Sequence, residues 1–207
     1  SADTITPVSA YLRARRETSA SFLFESVEGG ERSARYSFIG RNPHLLLRSE
    51  RGVATASEEG KSRLLRGNFL DLLAGEIARH RAPKLTSLPR FTGGFVGYIG
   101  YDAVRCIENV PWSSPSELPE SIMALFGEII VFDHLRHTLT LIVNAVLTPS
   151  SDLAERFEGA RRQLDAAERL LFDESGPANA FHSSVDALSA DSTREEFMAA
   201  VAKAREH

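Results

Sequence analysis

Residues 121–147 carry two long apolar, β-rich runs, 121–132 and 138–147, joined only by Asp133-His134-Leu135-Arg136-His137. Ile, Val, Phe, Thr and Leu dominate both runs, and so short a connector returns the chain on itself. The stretch therefore predicts a β-hairpin and commits the fold to antiparallel pairing. Further strands are predicted at residues 20–26, in "ARYSFIGR", in "HLLLRSE" beyond Asn42-Pro43, weakly at 53–57, and at 93–99.

Helices interrupt these strands without alternating with them one for one. Thr6-Pro7 predicts a helix start, with Thr as N-cap and Pro in the first turn, running through the basic "RARR" at residue 16. Asn68 and Asp71 open a helix to about residue 81, with Phe69, Leu72, Leu73 and Ile77 on one face. Residues 100–107 read as a turn into a short helix, followed by the proline-rich loop "NVPWSSPSELP". Asp152 and Glu155 cap a helix to about 173. The pattern is α+β: antiparallel sheet layers with packed helices.

Residues 174–192 are small and polar, a composition that suits a linker. Thr193 and Glu196 then stand at capping-box spacing, with Phe197, Val201 and Ala204 forming a helical stripe. No Gly, Asn or Pro ends that helix before His207, and the first residue is Ser, so the sequence predicts a piece of a longer protein. The expected organisation is a domain at 1–173, a linker at 174–192, and at 193–207 the first helix of a further domain.

Bulk properties exclude several functions. A net charge of −4 gives no electrostatic footprint for nucleic acid, and no apolar run approaches the ~20 residues of a membrane span. The start lacks signal-peptide character, and one cysteine, Cys106, cannot form an intrachain disulfide. These features predict a cytoplasmic protein.

Three motifs invite chemistry. Gly94, Gly97 and Gly100 are spaced GxxGxxG, without the GxGxxG of a dinucleotide turn or the Gly-Lys of a phosphate loop, and fit close approach of backbone to a strand better. His134 and His137 flank the predicted hairpin turn beside Asp133, too few ligands for a closed metal site. Cys106 lies in an apolar context and reads as a small hydrophobe. No catalytic constellation stands out. The remaining candidate is Glu25-Ser26, a carboxylate and a hydroxyl where the strand "SFLF" runs out before Gly29-Gly30. Such a pair can take the ammonium and carboxylate of an amino acid, with Phe and Leu walling its side chain.

The stretches "TPVSAYLRARR", "SFLFESVEGGERSARYSFIG", "FTGGFVGYIGYDAVR", "LPESIMALFGEIIVFDH" and "TREEFMAAVAKAREH" together resemble component I of anthranilate synthase, in order and spacing. The related aminodeoxychorismate synthase component I shares weaker versions of them. The resemblance implies a subunit that converts chorismate to anthranilate and pyruvate with Mg²⁺, using ammonia from a glutamine amidotransferase partner, component II. It places the metal and catalytic residues in a C-terminal part outside these stretches, so no cofactor and no catalytic residue is expected here. It implies that this region senses L-tryptophan in feedback inhibition, at the segment the family writes Leu-Leu-Glu-Ser, here Leu23-Phe24-Glu25-Ser26. Ser26 and Glu25 are the implied contacts, with Arg35 lining the pocket and Pro7 packing near it.

Overall fold

The computed structural model describes residues 5–25, 35–58, 60–110, 118–172 and 193–205. Ser26, the Gly29-Gly30 turn and the predicted linker at 174–192 lie outside these residues, as do 111–117 of the proline-rich loop.

Among the described residues nine strands form two antiparallel sheets. Strands β1 (Ser21–Glu25), β2 (Tyr36–Arg41), β8 (Glu128–Asp133) and β9 (Thr138–Val143) pair in the order β1-β2-β8-β9. The second sheet runs β5-β4-β3-β7-β6, from β3 (Leu45–Glu50), β4 (Val53–Glu58), β5 (Lys61–Leu65), β6 (Gly94–Ile99) and β7 (Ser121–Phe126). The helices are α1 (Pro7–Ala14), α2 (Phe69–Arg79) and α3 (Leu153–Phe172), with short 3-10 turns at Arg15–Glu17 and Tyr101–Cys106.

Side-chain alternation along the strands assigns the layers. Ile39, Ile130 and Phe132 turn one face of the first sheet toward Ala10 and Ala14 of α1 and Leu171 of α3. Burying each such aliphatic side chain is worth about 1.5–3 kcal/mol. Leu45, Leu47 and Leu125 turn the outer face of the second sheet toward Phe69 and Leu73 of α2. The two inner faces meet in a third cluster, Val96, Ala124 and Phe126 with Ile129, Val131 and Ile142. The order is helices, sheet, sheet, helix, so each sheet carries helices on one face only.

The helix starts follow the sequence. Thr6 Oγ1 accepts from the Ser9 amide at 3.2 Å, and Ser9 Oγ accepts from the Thr6 amide at 3.0 Å. Asn68 Oδ1 accepts from the Leu70 amide at 2.8 Å, and Asp152 Oδ1 from the Ala154 amide at 2.9 Å. The basic end of α1 is used in tertiary packing: Arg13 donates to the Leu171 carbonyl in the last turn of α3.

Two expectations need correction, and one strand was not expected. The apolar run at 121–132 is not one strand. It divides at Gly127 into β7 and β8, which belong to different sheets. The second run ends at Val143, not 147, because Asn144 turns back: its side-chain amide donates to the Thr92 and Gly127 carbonyls at 2.7 and 3.0 Å. Strand β5, "KSRLL", had no apolar alternation to reveal it. It is a mostly exposed edge strand, where Lys and Arg guard against unwanted pairing.

α4 (Arg194–Arg205) belongs to a separate unit, Glu174–His207, distinct from Ser1–Asp173. The predicted capping box forms. The Glu196 amide donates to Thr193 Oγ1 at 3.2 Å and the Thr193 amide to Glu196 Oε2 at 2.8 Å, which holds the Glu196 carboxyl below its usual range.

Candidate functional site

Among the described residues β1 is an edge strand, paired with β2 alone. Its even positions, Phe22 and Phe24, face inward with Tyr36 and Phe38 of β2. Phe22 stands 4.7 Å from Phe24 and 4.9 Å from Phe126, centroid to centroid, and Phe38 stands 5.5 Å from Phe91 in an edge-to-face pair. At the open end this aromatic row reaches solvent: Phe24 is 52% exposed. An aromatic surface of this kind, bordered by charge, suits a flat apolar ligand with a polar head.

The charged border is built at the ends of β1, β2 and β8. Glu25 is the last residue of β1, exposed, and paired in register with Ser37. Its odd position places its side chain on the helix-facing side of the sheet with Leu23, opposite Phe22 and Phe24. Arg35 precedes β2. Its Nε and Nη2 donate to the two carboxylate oxygens of Asp133 at 3.1 and 2.7 Å, and the guanidinium lies 4.8 Å from the Tyr36 ring centre. Two of its five donors are engaged, so three can still serve a ligand carboxylate. The Arg35 hydrogen bonds, with backbone N–H groups of Arg136 and Leu135, hold the Asp133 carboxyl below the ordinary carboxylate range.

Glu25 and Arg35 thus share one end of the β1-β2 pair. Pro7 opens α1, on the opposite side of the sheet from the aromatic row. Ser26 falls outside the described residues.

The other motifs have structural roles. A β-carbon on Gly97 would collide with the Ile122 carbonyl of β7, and one on Gly100 would come within 2.8 Å of the Glu120 carbonyl, so these glycines admit neighbouring backbone. His134 Nε2 lies 2.7 Å from buried Ser37 Oγ, and His137 takes a left-handed φ of 51° in the hairpin turn. Cys106 ends the second 3-10 turn and packs half-buried beneath α2. The Arg35–Asp133 pair is not evident from the sequence. Its signal was a charge before one strand and an acid at the end of another, 98 residues apart in sequence.

The two-sheet fold agrees with that of a solved relative, and the sequence places the chain in a known family. Residues 19–207 match the model for chorismate binding enzymes, and the chain belongs to that family. Anthranilate synthase component 1 of Acetivibrio thermocellus is 42% identical over 147 residues, covering 69% of this chain and 29% of that protein. The same protein from Acinetobacter calcoaceticus is 41% identical over 180 residues, covering 82% of this chain and 35% of its own length. The crystal structure of anthranilate synthase component I from Streptococcus pneumoniae TIGR4 shares the fold, with a TM-score of 0.52 at 22% identity over 83% of this chain and 37% of that one. The chain therefore spans well under half the length of these relatives. Among its described residues no helix is long and apolar enough to cross a membrane.

Proposed function

We propose that this chain is the tryptophan-sensing N-terminal part of an anthranilate synthase component I. The observation that carries this reading is its 41–42% identity to anthranilate synthase component 1 from two organisms. In this reading 1–173 is the regulatory domain, 174–192 a linker, and 193–207 the first helix of the chorismate-using domain. Chorismate, Mg²⁺ and the lyase chemistry belong to the remainder of the subunit, and the chain alone is inactive.

L-tryptophan would lay its indole against the exposed Phe24 edge, with Phe22 behind it. At the end of β1, Glu25 would take the ammonium through its backbone carbonyl, and Ser26 and a free donor of Arg35 the carboxylate. Pro7 would pack near the pocket, behind the sheet. A ligand favouring one arrangement of the regulatory and catalytic parts would shift their equilibrium, so tryptophan and chorismate would oppose each other.

Titration calorimetry of the chain with L-tryptophan, against L-phenylalanine, tests whether the pocket forms without the rest of the subunit. In the full-length protein, Ser26→Leu is expected to abolish tryptophan inhibition while sparing turnover. Undiminished inhibition would refute the site. Assay for anthranilate against aminodeoxychorismate separates this reading from the folate-pathway relative.

A second reading is favoured by β6, an edge strand that exposes Tyr98 and Ile99 beside Tyr101, which is 94% exposed. There the domain docks the glutamine amidotransferase subunit and binds no tryptophan. Capture of that subunit, weakened by Tyr101→Ser and indifferent to tryptophan, would establish it.

A further inference from the structure

The face of the second sheet that α2 covers changes character at one end. Leu45 and Leu47 of β3 give way to Ser49, and Leu125 and Met123 of β7 give way to Ser121, its partner in register. Between this polar floor and a roof made by the start of α2 and the second 3-10 turn lies a cavity of about 290 Å³. Its lining includes Ser49, Phe69, Ala103, Cys106, Glu120 and Ser121. That volume is near the lower end of ligand pockets, about 300 Å³.

Two buried groups in it point to a ligand. Ser121 Oγ is fully buried and has no hydrogen-bond partner among the described residues. Glu120, 8% exposed, accepts from Ser49 Oγ at 2.6 Å and from the Gly52 amide at 3.2 and 3.3 Å. A carboxylate offers about four acceptor positions, so capacity remains. Among the described residues no Lys or Arg lies within ion-pair distance of Glu120, while the lining guanidinium of Arg105 meets Asp102 at 3.1 Å. Among the described lining residues two carboxylates, Asp102 and Glu120, stand against one guanidinium. A buried carboxylate and an unpaired hydroxyl are both unfavourable until a donor reaches them. Two exposed glycines, Gly52 and Gly67, line the opening without a side chain.

We propose that this cavity binds a small organic cation, a primary amine on a short apolar frame. Its ammonium donates to Glu120 and to Ser121 Oγ, and its apolar part rests on Phe69, Ala103 and Cys106. The site lies on the α2 side of the second sheet and is independent of the tryptophan reading.

Benzylamine is the probe, with benzyl alcohol and benzoate as controls, titrated calorimetrically into the whole chain. One saturable site for benzylamine is expected, with benzyl alcohol and the Glu120→Gln variant each weaker by roughly tenfold or more, the loss of one charge-assisted bond. Equal affinity for amine and alcohol, full affinity in Glu120→Gln, or no saturable binding would overturn the proposal. The native protein gives a second readout that does not depend on the variant's folding. Cys106 is the only thiol in the chain, so its alkylation rate can be followed by mass. Benzylamine is expected to slow it and benzyl alcohol at the same concentration to leave it unchanged; unprotected Cys106 would equally overturn the site.

Discussion

Phe22 lies across Gly40, its partner in register on β2, so closely that a β-carbon on Gly40 would collide with the Phe22 ring. The glycine is therefore part of the aromatic row: its missing side chain is the space the ring occupies. Gly40→Ala is expected to displace Phe22 from its contacts with Phe24 and Phe126 and to destabilise the chain by about 1–3 kcal/mol, the usual scale of overpacking. Urea unfolding measures this. An unchanged midpoint would mean the ring moves aside freely.

Gly127 is the single residue between β7 and β8, and it marks where the chain leaves one sheet for the other. A β-carbon there would strike the His44 ring and stand 3.1 Å from the Asn144 carbonyl. His44 lies in the neighbouring crossover from β2 to β3, where its amide donates to the Leu125 carbonyl at 2.8 Å. Gly127→Ala should cost about 1–3 kcal/mol. Adding His44→Ala should return part of that, because the imidazole can be removed and the Asn144 backbone cannot. Strict additivity of the two substitutions would show that they do not meet.

These glycines explain what the sequence concealed. A run such as "SIMALFGEIIVF" has strand composition throughout, and nothing local distinguishes a glycine inside a strand from one at which the strand changes sheet. That difference depends on His44 and Asn144, remote in sequence. The hairpin β8-β9 was legible because apolar content and a short connector are local, and the caps at Thr6, Asn68, Asp152 and Thr193 were legible for the same reason. Within the candidate site Glu25 was placed by its position at a strand end. The engagement of Arg35 by Asp133 was hidden because it joins strands far apart in sequence.

The Arg35–Asp133 pair gives stability a pH dependence of definite sign. Asp133 has its folded pKa depressed, first by the Arg35 hydrogen bonds, and the unfolded value is about 3.9. The contribution is therefore complete above roughly pH 4 and lost as pH falls through the folded value. Arg35→Met should lower the urea midpoint at neutral pH, and its difference from the parent chain should shrink on acidification below pH 4. A difference that stays constant with pH would mean the pair contributes only packing against Tyr36.

Arg41 and Glu128 pair across β2 and β8 at the crossover, each 8% exposed, with Nε and Oε1 3.2 Å apart. The Arg41 Nε–H is not directed into a hydrogen bond, whereas Asn42 Nδ2 donates to Glu128 Oε2 at 2.9 Å. Two charges have been taken out of water for an ion pair of imperfect geometry, so the pair's net worth is small although breaking it is costly. Glu128→Leu should strand the buried guanidinium and destabilise by about 3–5 kcal/mol. Arg41→Met with Glu128→Leu should recover most of that, leaving chiefly the lost acceptor of Asn42. Urea unfolding of the four members of this cycle decides it. If the double variant is as unstable as the sum of the single ones, the two charges do not couple, and the cost of Glu128→Leu is not that of a stranded guanidinium.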